Sequence, residues 1–381
     1  MLATAAILMI WQKLAARFAA PPKRDARDGR KSLPAPVPAR SPIQAPRKPI
    51  VLALQGGGAH GAFTWGVLDH LLQDGRLEIR GLSGASAGAM NAVMVVDGLA
   101  RGGPEEARKR LAAFWRGASF GGRLPGPQRA ALDRMLPWLP GPSPMEVYAR
   151  GLARFLSPYD LNPLNINPLR ELITEQVDFE AVRGFSDLHL FVSATDVHSG
   201  QPRVFSRSEI TADVVMASAA LPLLFQAVEI DGVPYWDGGY GANPAILPLV
   251  EACEGTDVLV VQINPLLRQG TPSTSQAIVD RINEITFNAS LASELRTLST
   301  IAQLIDQGRL KPGKGYRPVN LHRITLESGP RITPESRLNT DYKFLELLRR
   351  AGRRAAKRFL DTHFDDIGMR GTLVTQERTA A

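Results

Sequence analysis

Apolar residues along the chain fall into two patterns. Ile50-Val51-Leu52-Ala53-Leu54, Leu188–Ala194 (LHLFVSA) and Asp257–Ile263 (DVLVVQI) are continuous runs of strand length. Such runs predict central parallel strands buried on both faces. A strand ending before Ser86 and another over Val319–Leu326 are also expected. Helical spacing predicts helices from Ala62, over residues 87–115, from Asn167-Pro168, over 274–307 and over 341–363. Thr211 reads as the N-cap of a helix through Val214–Ala217 that stops at Pro222. Ser199-Gly200 and Asp231-Gly232 mark hairpin turns, the second delivering Asp237-Gly238-Gly239. The alternation predicts an α/β three-layer sandwich around a mainly parallel central sheet, with a mostly helical C-terminal extension.

Patterning also divides the chain. Residues 1–20 hold a short apolar run and then Leu8, Trp11, Leu14 and Phe18 near one helical face, beside Lys13 and Arg17. The run is shorter than the roughly 20 residues a membrane span needs. No Lys or Arg precedes it, so it is not a standard signal peptide either. It suits a membrane interface, or equally a disordered extension or a misassigned start. Residues 21–49 mix prolines with charge and read as a disordered basic linker. Residues 50–265 are expected to form the main folded domain, and 266–381 a mostly helical region packed on it. Within the domain, 117–168 mixes Gly and Pro with large apolar residues, as a lid or cap-like insertion does.

Charge changes this picture little. Net charge is +8 over 381 residues, but residues 1–49 carry ten of the 45 basic and two of the 37 acidic residues, leaving 35 of each beyond them. The body is neutral, which argues against nucleic acid as a partner. The basic helix over 341–363 either meets acidic headgroups or lies on the surface with Leu345, Leu348, Ala355 and Phe359 turned inward. The single cysteine, Cys253, rules out an internal disulfide and a cysteine metal cluster, fits a reducing, cytoplasmic location, and reads as a small buried residue near a helix end. No metal or other cofactor is expected.

The candidate chemistry lies in three places. After the first strand, Gly56, Gly57, Gly58, Ala59, His60 and Gly61 feed a helix N-terminus, where backbone N–H groups and the helix dipole make an anion site. Gly56-x-Gly58-x-x-Gly61, with Glu78 downstream, satisfies a dinucleotide fingerprint; the same loop suits the oxyanion of acyl transfer. The next strand ends in Gly84-x-Ser86-x-Gly88, the pattern of a nucleophile elbow flanked by Ala85 and Ala87, and nucleotide binding calls for no serine there. Ser86 needs a base. None of the six histidines sits in a late loop after an acid, whereas Asp237, before two glycines at a strand exit, is placed to act directly.

The glycine loop, the elbow and Asp237-Gly238-Gly239, in this order, resemble the patatin-like phospholipases, as do Ser193–Asp196, Ala217–Pro222 and Asn243-Pro244. The likeness covers about residues 50–265. It implies a patatin-like fold, a Ser86–Asp237 dyad, an oxyanion hole at Gly56, Gly57, Gly58, Ala59 and Gly61, and support from Gly84, Ala87, Gly88, Gly238 and Gly239. It implies hydrolysis of fatty-acyl esters of phospholipids or other acyl lipids. Peripheral membrane contact through residues 1–49 is a separate expectation, drawn from their apolar and basic pattern. The rival readings are an acyltransferase using the same dyad and a non-catalytic lipid- or nucleotide-binding protein. His60 stands where the family often has Arg or Lys, which removes a fixed charge beside the loop.

Overall fold

The computed structural model describes residues 47–119, 157–253, 257–267, 270–313, 317–327, 332–333 and 335–373. The N-terminal segment, nearly all of the linker and most of the expected 117–168 insertion lie outside them.

Eight strands make one mixed sheet: β1 (Lys48–Leu54), β2 (Leu77–Ala85), β3 (His189–Asp196), β4 (Pro202–Ser206), β5 (Val228–Ile230), β6 (Val233–Asp237), β7 (Asp257–Gln262) and β8 (Asn320–Thr325). The three continuous apolar runs and the strand that ends before Ser86 make the parallel centre, in the order β3-β2-β1-β7, and β8 extends it beyond β7. The two hairpins add the antiparallel strands. The C-terminal region therefore completes the sheet as well as covering it.

Alternate residues of β1 enter two cores. Ile50, Leu52 and Leu54 pack under α1 (Gly61–Asp74), α2 (Ala87–Ala118) and the late helix. Val51 and Ala53 face the opposite core, with Ile246 and Leu249 and with Leu291, Leu295 and Leu298 of the long helix over 275–306. This period-two division is what places helices on both faces. α2 is broken at Gly102 and Gly103, the latter at φ 78°, before Pro104 restarts it.

Besides a single turn at Pro158–Leu161, the remaining α-helices among the described residues are α3 (Pro168–Gln176), α4 (Phe179–Gly184), α5 (Ala212–Ser218), α6 (Leu247–Ala252), α7 (Ser275–Asp306) and α8 (Tyr342–His363). Asn167, Asp178 and Thr211 cap α3, α4 and α5 through their side chains. The basic residues of α8 are largely paired: Arg349 and Arg353 meet the buried Asp69 of α1, Lys357 meets Asp361, and Arg358 meets Glu327. Leu345, Leu348, Ala355 and Phe359 are buried, as the inward-facing reading requires. Among the described residues no helix is long and apolar enough to cross a membrane.

Register brings two strand ends together. β2 and β4 both pair with Phe191–Ser193 and so lie on opposite edges of β3. β4 and β6 both pair with Ala194 and Thr195, so β6 lies on the same edge as β2. Ala85 ends β2 opposite Ser193, and Asp237 ends β6 opposite Ala194. The two strands run head to head along one edge.

Candidate active site

Ser86 follows β2 and starts α2 with φ 52° and ψ −124°, a conformation that L-residues rarely adopt. Such strain persists only where the surroundings over-determine it. Here the Ser86 N–H donates to Ser218 Oγ at 2.9 Å and its carbonyl accepts from Met90 N at 3.1 Å. A Cβ at Gly84 would lie 2.5 Å from the Gly88 carbonyl carbon, and one at Gly88 would collide with Leu54 O. Ala87 packs against Gly61, where an added Cβ would lie 2.6 Å away. Small flanks are thus a packing requirement of the turn.

Asp237 is buried at the end of β6. Its N–H donates to Ala220 O at 2.9 Å, its carbonyl accepts from Thr195 Oγ1 at 2.8 Å, and Oδ1 accepts from Gly239 N at 2.7 Å. Burial pushes its carboxyl up to about 7, against hydrogen bonds from Gly239 N–H and the Ser86 hydroxyl that favour the charged form. The Ser86 contact is loose, since Oδ2 has no hydrogen bond of regular geometry. Such bonds commonly tighten only when substrate is in place. Gly238 has no room for a side chain over Ser193 O, and Gly239 sits under Phe287.

The glycine loop leans on the serine: a Cβ at Gly56 would lie 2.8 Å from Ser86 Cβ. Both ends of the Gly56 residue are gripped, its N–H by Asn243 Oδ1 at 2.6 Å and its carbonyl by Asn264 Nδ2 at 2.8 Å. Behind it Gln55 Oε1 accepts from the N–H groups of Ile263 and Asn264 at 2.9 and 2.8 Å, while Nε2 donates to Asn288 Oδ1 at 2.8 Å. The Gly61 N–H closes onto Gly58 O and Ala59 O. Of the five residues expected to form the oxyanion hole, Gly56 and Gly61 therefore have their N–H groups already engaged. The N–H groups of Gly57 and Gly58 have no acceptor among the described residues.

His60 is buried, bonded through Nε2 to Ser336 Oγ at 2.8 Å, and pushed down to about 4 by burial and by nearby Arg337. It is a neutral side chain that ties the loop to the C-terminal region. Among the described residues no histidine is hydrogen-bonded to Ser86 or Asp237. Glu78, the acid of the dinucleotide fingerprint, pairs in register with Pro49 at the far end of β1 from Gly56 and meets Arg80. Asn264 and Asn288 carried no local signal, and Ser218 and Asn243 only their places in resembling stretches.

Residues 52–250, more than half of the chain, match the family described as Patatin-like phospholipase. The chain belongs to the patatin-like phospholipase family. Among solved structures it resembles VipD from Legionella pneumophila at 18% identity and TM-score 0.36, covering 84% of this chain and 68% of that one. It also resembles a chain of the ExoU–SpcU complex from the type III secretion system of Pseudomonas aeruginosa, at 14% identity and TM-score 0.34, covering 84% of this chain and 52% of that one. This patatin-like chain thus spans about half the length of that second relative. No curated protein matches it.

Proposed function

We propose that the protein hydrolyses fatty-acyl esters of lipids through Ser86 as nucleophile and Asp237 as base. The observation that carries the reading is the meeting of a strained elbow serine with a buried carboxyl raised to about 7. A carboxylate near 7 is a stronger base than an exposed one and is still half ionised at neutral pH.

In the proposed reaction Asp237 takes the Oγ proton of Ser86 as Oγ bonds to the ester carbonyl carbon. The carbonyl oxygen becomes an oxyanion facing the Gly57 and Gly58 N–H groups, each such donor being worth about 100- to 1,000-fold in rate. Collapse expels the alcohol, which takes the proton from Asp237, and leaves an acyl-enzyme. Water, deprotonated by Asp237, then releases the fatty acid and restores Ser86. Family membership supports a lipid ester as substrate. The distance of Glu78 from the glycine loop weighs against the nucleotide reading.

The test compares wild type, Ser86→Ala and Asp237→Asn on p-nitrophenyl butyrate, with fluorophosphonate labelling of Ser86. Loss of at least about 1,000-fold in each variant is expected; undiminished activity in either removes the dyad. NAD binding without labelling would favour the nucleotide reading, and a lipid acceptor that outcompetes water would make the enzyme a transferase. Membrane contact through residues 1–49 predicts that deleting them shifts the protein to the soluble fraction.

A further inference from the structure

Three consecutive glycines carry more backbone freedom than any other residues would, and the last of them, Gly58, stands in the left-handed region at φ 60°. Neighbours must remove that freedom before an N–H there can hold one direction. Asn243 and Asn264 fix the upstream end at Gly56. The downstream end is held by a short turn of the C-terminal region, Glu335–Leu338. A Cβ on Gly58 would lie 2.5 Å from Arg337 O, so this carbonyl packs directly on the Gly58 backbone. Two residues on, His60 Nε2 lies 2.8 Å from Ser336 Oγ. That hydroxyl donates to Thr333 O at 2.7 Å and accepts from Thr333 N at 3.1 Å. Its remaining acceptor position is the one His60 Nε2–H fills.

The turn has its own anchor. The Arg337 guanidinium reaches Glu284 of α7 at 3.4 Å, and Arg281 reaches the other oxygen of the same carboxylate at 3.3 Å. The Glu284 side chain is 1% exposed and that of Arg337 12%. Charges this deeply buried hold each other in place, because removing one leaves the other uncompensated. Phe287 and Asn288, at i+3 and i+4 from Glu284, share its face of α7 and touch Gly239 and Gln55. One helix face therefore reaches the glycine that follows Asp237-Gly238, the residue that leads into the glycine loop, and the turn that covers Gly58.

We infer that Glu284 is a positioning residue for the glycine loop: its ion pair with Arg337 clamps the Glu335–Leu338 turn onto Gly58 and so fixes the direction of the Gly57 and Gly58 N–H groups. The loop is then completed by residues beyond the 52–250 stretch that matches the family. The inference rests on the hydrolase reading only for the catalytic consequence of that position.

The test uses the full chain carrying Glu284→Gln, in which the amide keeps the shape and loses the charge. Hydrogen exchange read by mass spectrometry over residues 55–61 should speed up about tenfold or more, through the Gly61 N–H that closes onto Gly58 O and Ala59 O. On p-nitrophenyl butyrate kcat should fall about tenfold or more with KM little changed, because the oxyanion forms only after binding. The acid limb of the pH profile should stay in place, since Asp237 keeps its partners. Arg337→Lys, which keeps the charge, should lose less than Arg337→Met. Ser336→Ala, at a half-buried position, cuts the His60 tie alone and should act in the same direction more weakly. Exchange over 55–61 that matches wild type in both Glu284→Gln and Ser336→Ala overturns the inference. So does a loss of kcat that only tracks the unfolded fraction seen by circular dichroism. A wild type that cleaves no ester, with exchange still raised in Glu284→Gln, would instead sink the hydrolase reading and leave the clamp standing.

Discussion

The side-chain amide of Asn243 holds the backbone N–H of Gly56 at 2.6 Å, across 187 positions of sequence. Together with Asn264 on the carbonyl it fixes the peptide that leads into Gly57 and Gly58. Loss of that grip would displace the proposed oxyanion donors, and a displacement of about 1 Å can cost roughly 100-fold in rate. Asn243→Ala should therefore lower kcat by about this factor with little change in KM. Asn243→Asp, which keeps the acceptor, should lose less. Steady-state kinetics on p-nitrophenyl butyrate check both; a change confined to KM would place Asn243 in substrate binding instead.

Asp237 should set the acid limb of activity. It must be ionised to act, so kcat/KM should rise with pH and level off above about 7. His60→Asn should leave the limb where it is, because His60 is already neutral above about 4. A limb that moves in His60→Asn would reassign the base. Stability follows the opposite sign. Burial raises the folded carboxyl from 3.8 to about 7, so the folded state holds the proton through that window and loses stability as pH rises through it. Asp237→Asn should accordingly melt higher than wild type at pH 8, with the gain shrinking toward pH 4, as thermal denaturation across pH can measure.

α1 and α8 touch through glycine. A Cβ at Gly352 would collide with Phe63 O, and one at Gly66 with Arg349 O, both of them backbone atoms that cannot swing aside. Gly352→Ala should destabilise the protein by about 1–3 kcal/mol, the usual range for overpacking. Urea denaturation checks this, and a neutral result would mean that α8 docks less closely than its contacts with α1 indicate.

Cys253 is buried against Gly81, and burial pushes its thiol up to about 11. Thiolate is the reactive form. A disulfide reagent should label the native protein slowly and the urea-unfolded protein at once; rapid native labelling would refute the burial.

The parts of the fold written in local pattern were legible in sequence. The apolar runs became the central strands, Thr211 caps its helix, and Asp231-Gly232 turns the hairpin that carries Asp237. The elbow was legible because Gly84 and Gly88 are sterically compulsory. What escaped was long-range. Asn264 and Asn288 are single polar residues in ordinary surroundings, Ser218 was marked only by its stretch, and only the closed fold brings them to Ser86 and the loop. The charge of α8 left two readings open for a similar reason, since Asp69, which Arg349 and Arg353 meet, lies far away in sequence. The periodicity of α7 announced a helix but not that Ile278, Ile282 and Ile285 stay exposed on it.

The head-to-head arrangement of β2 and β6 has a bearing on how this protein tolerates change. Ser193 and Ala194, adjacent rungs of one strand, act as a ruler for the proposed pair, so the gap between hydroxyl and carboxyl is inherited from β3 and not from the segments that flank it on either side. Lengthening or shortening a loop in those flanking segments should leave the gap intact, whereas sliding β6 by a single rung would turn the carboxyl to the other side of the sheet.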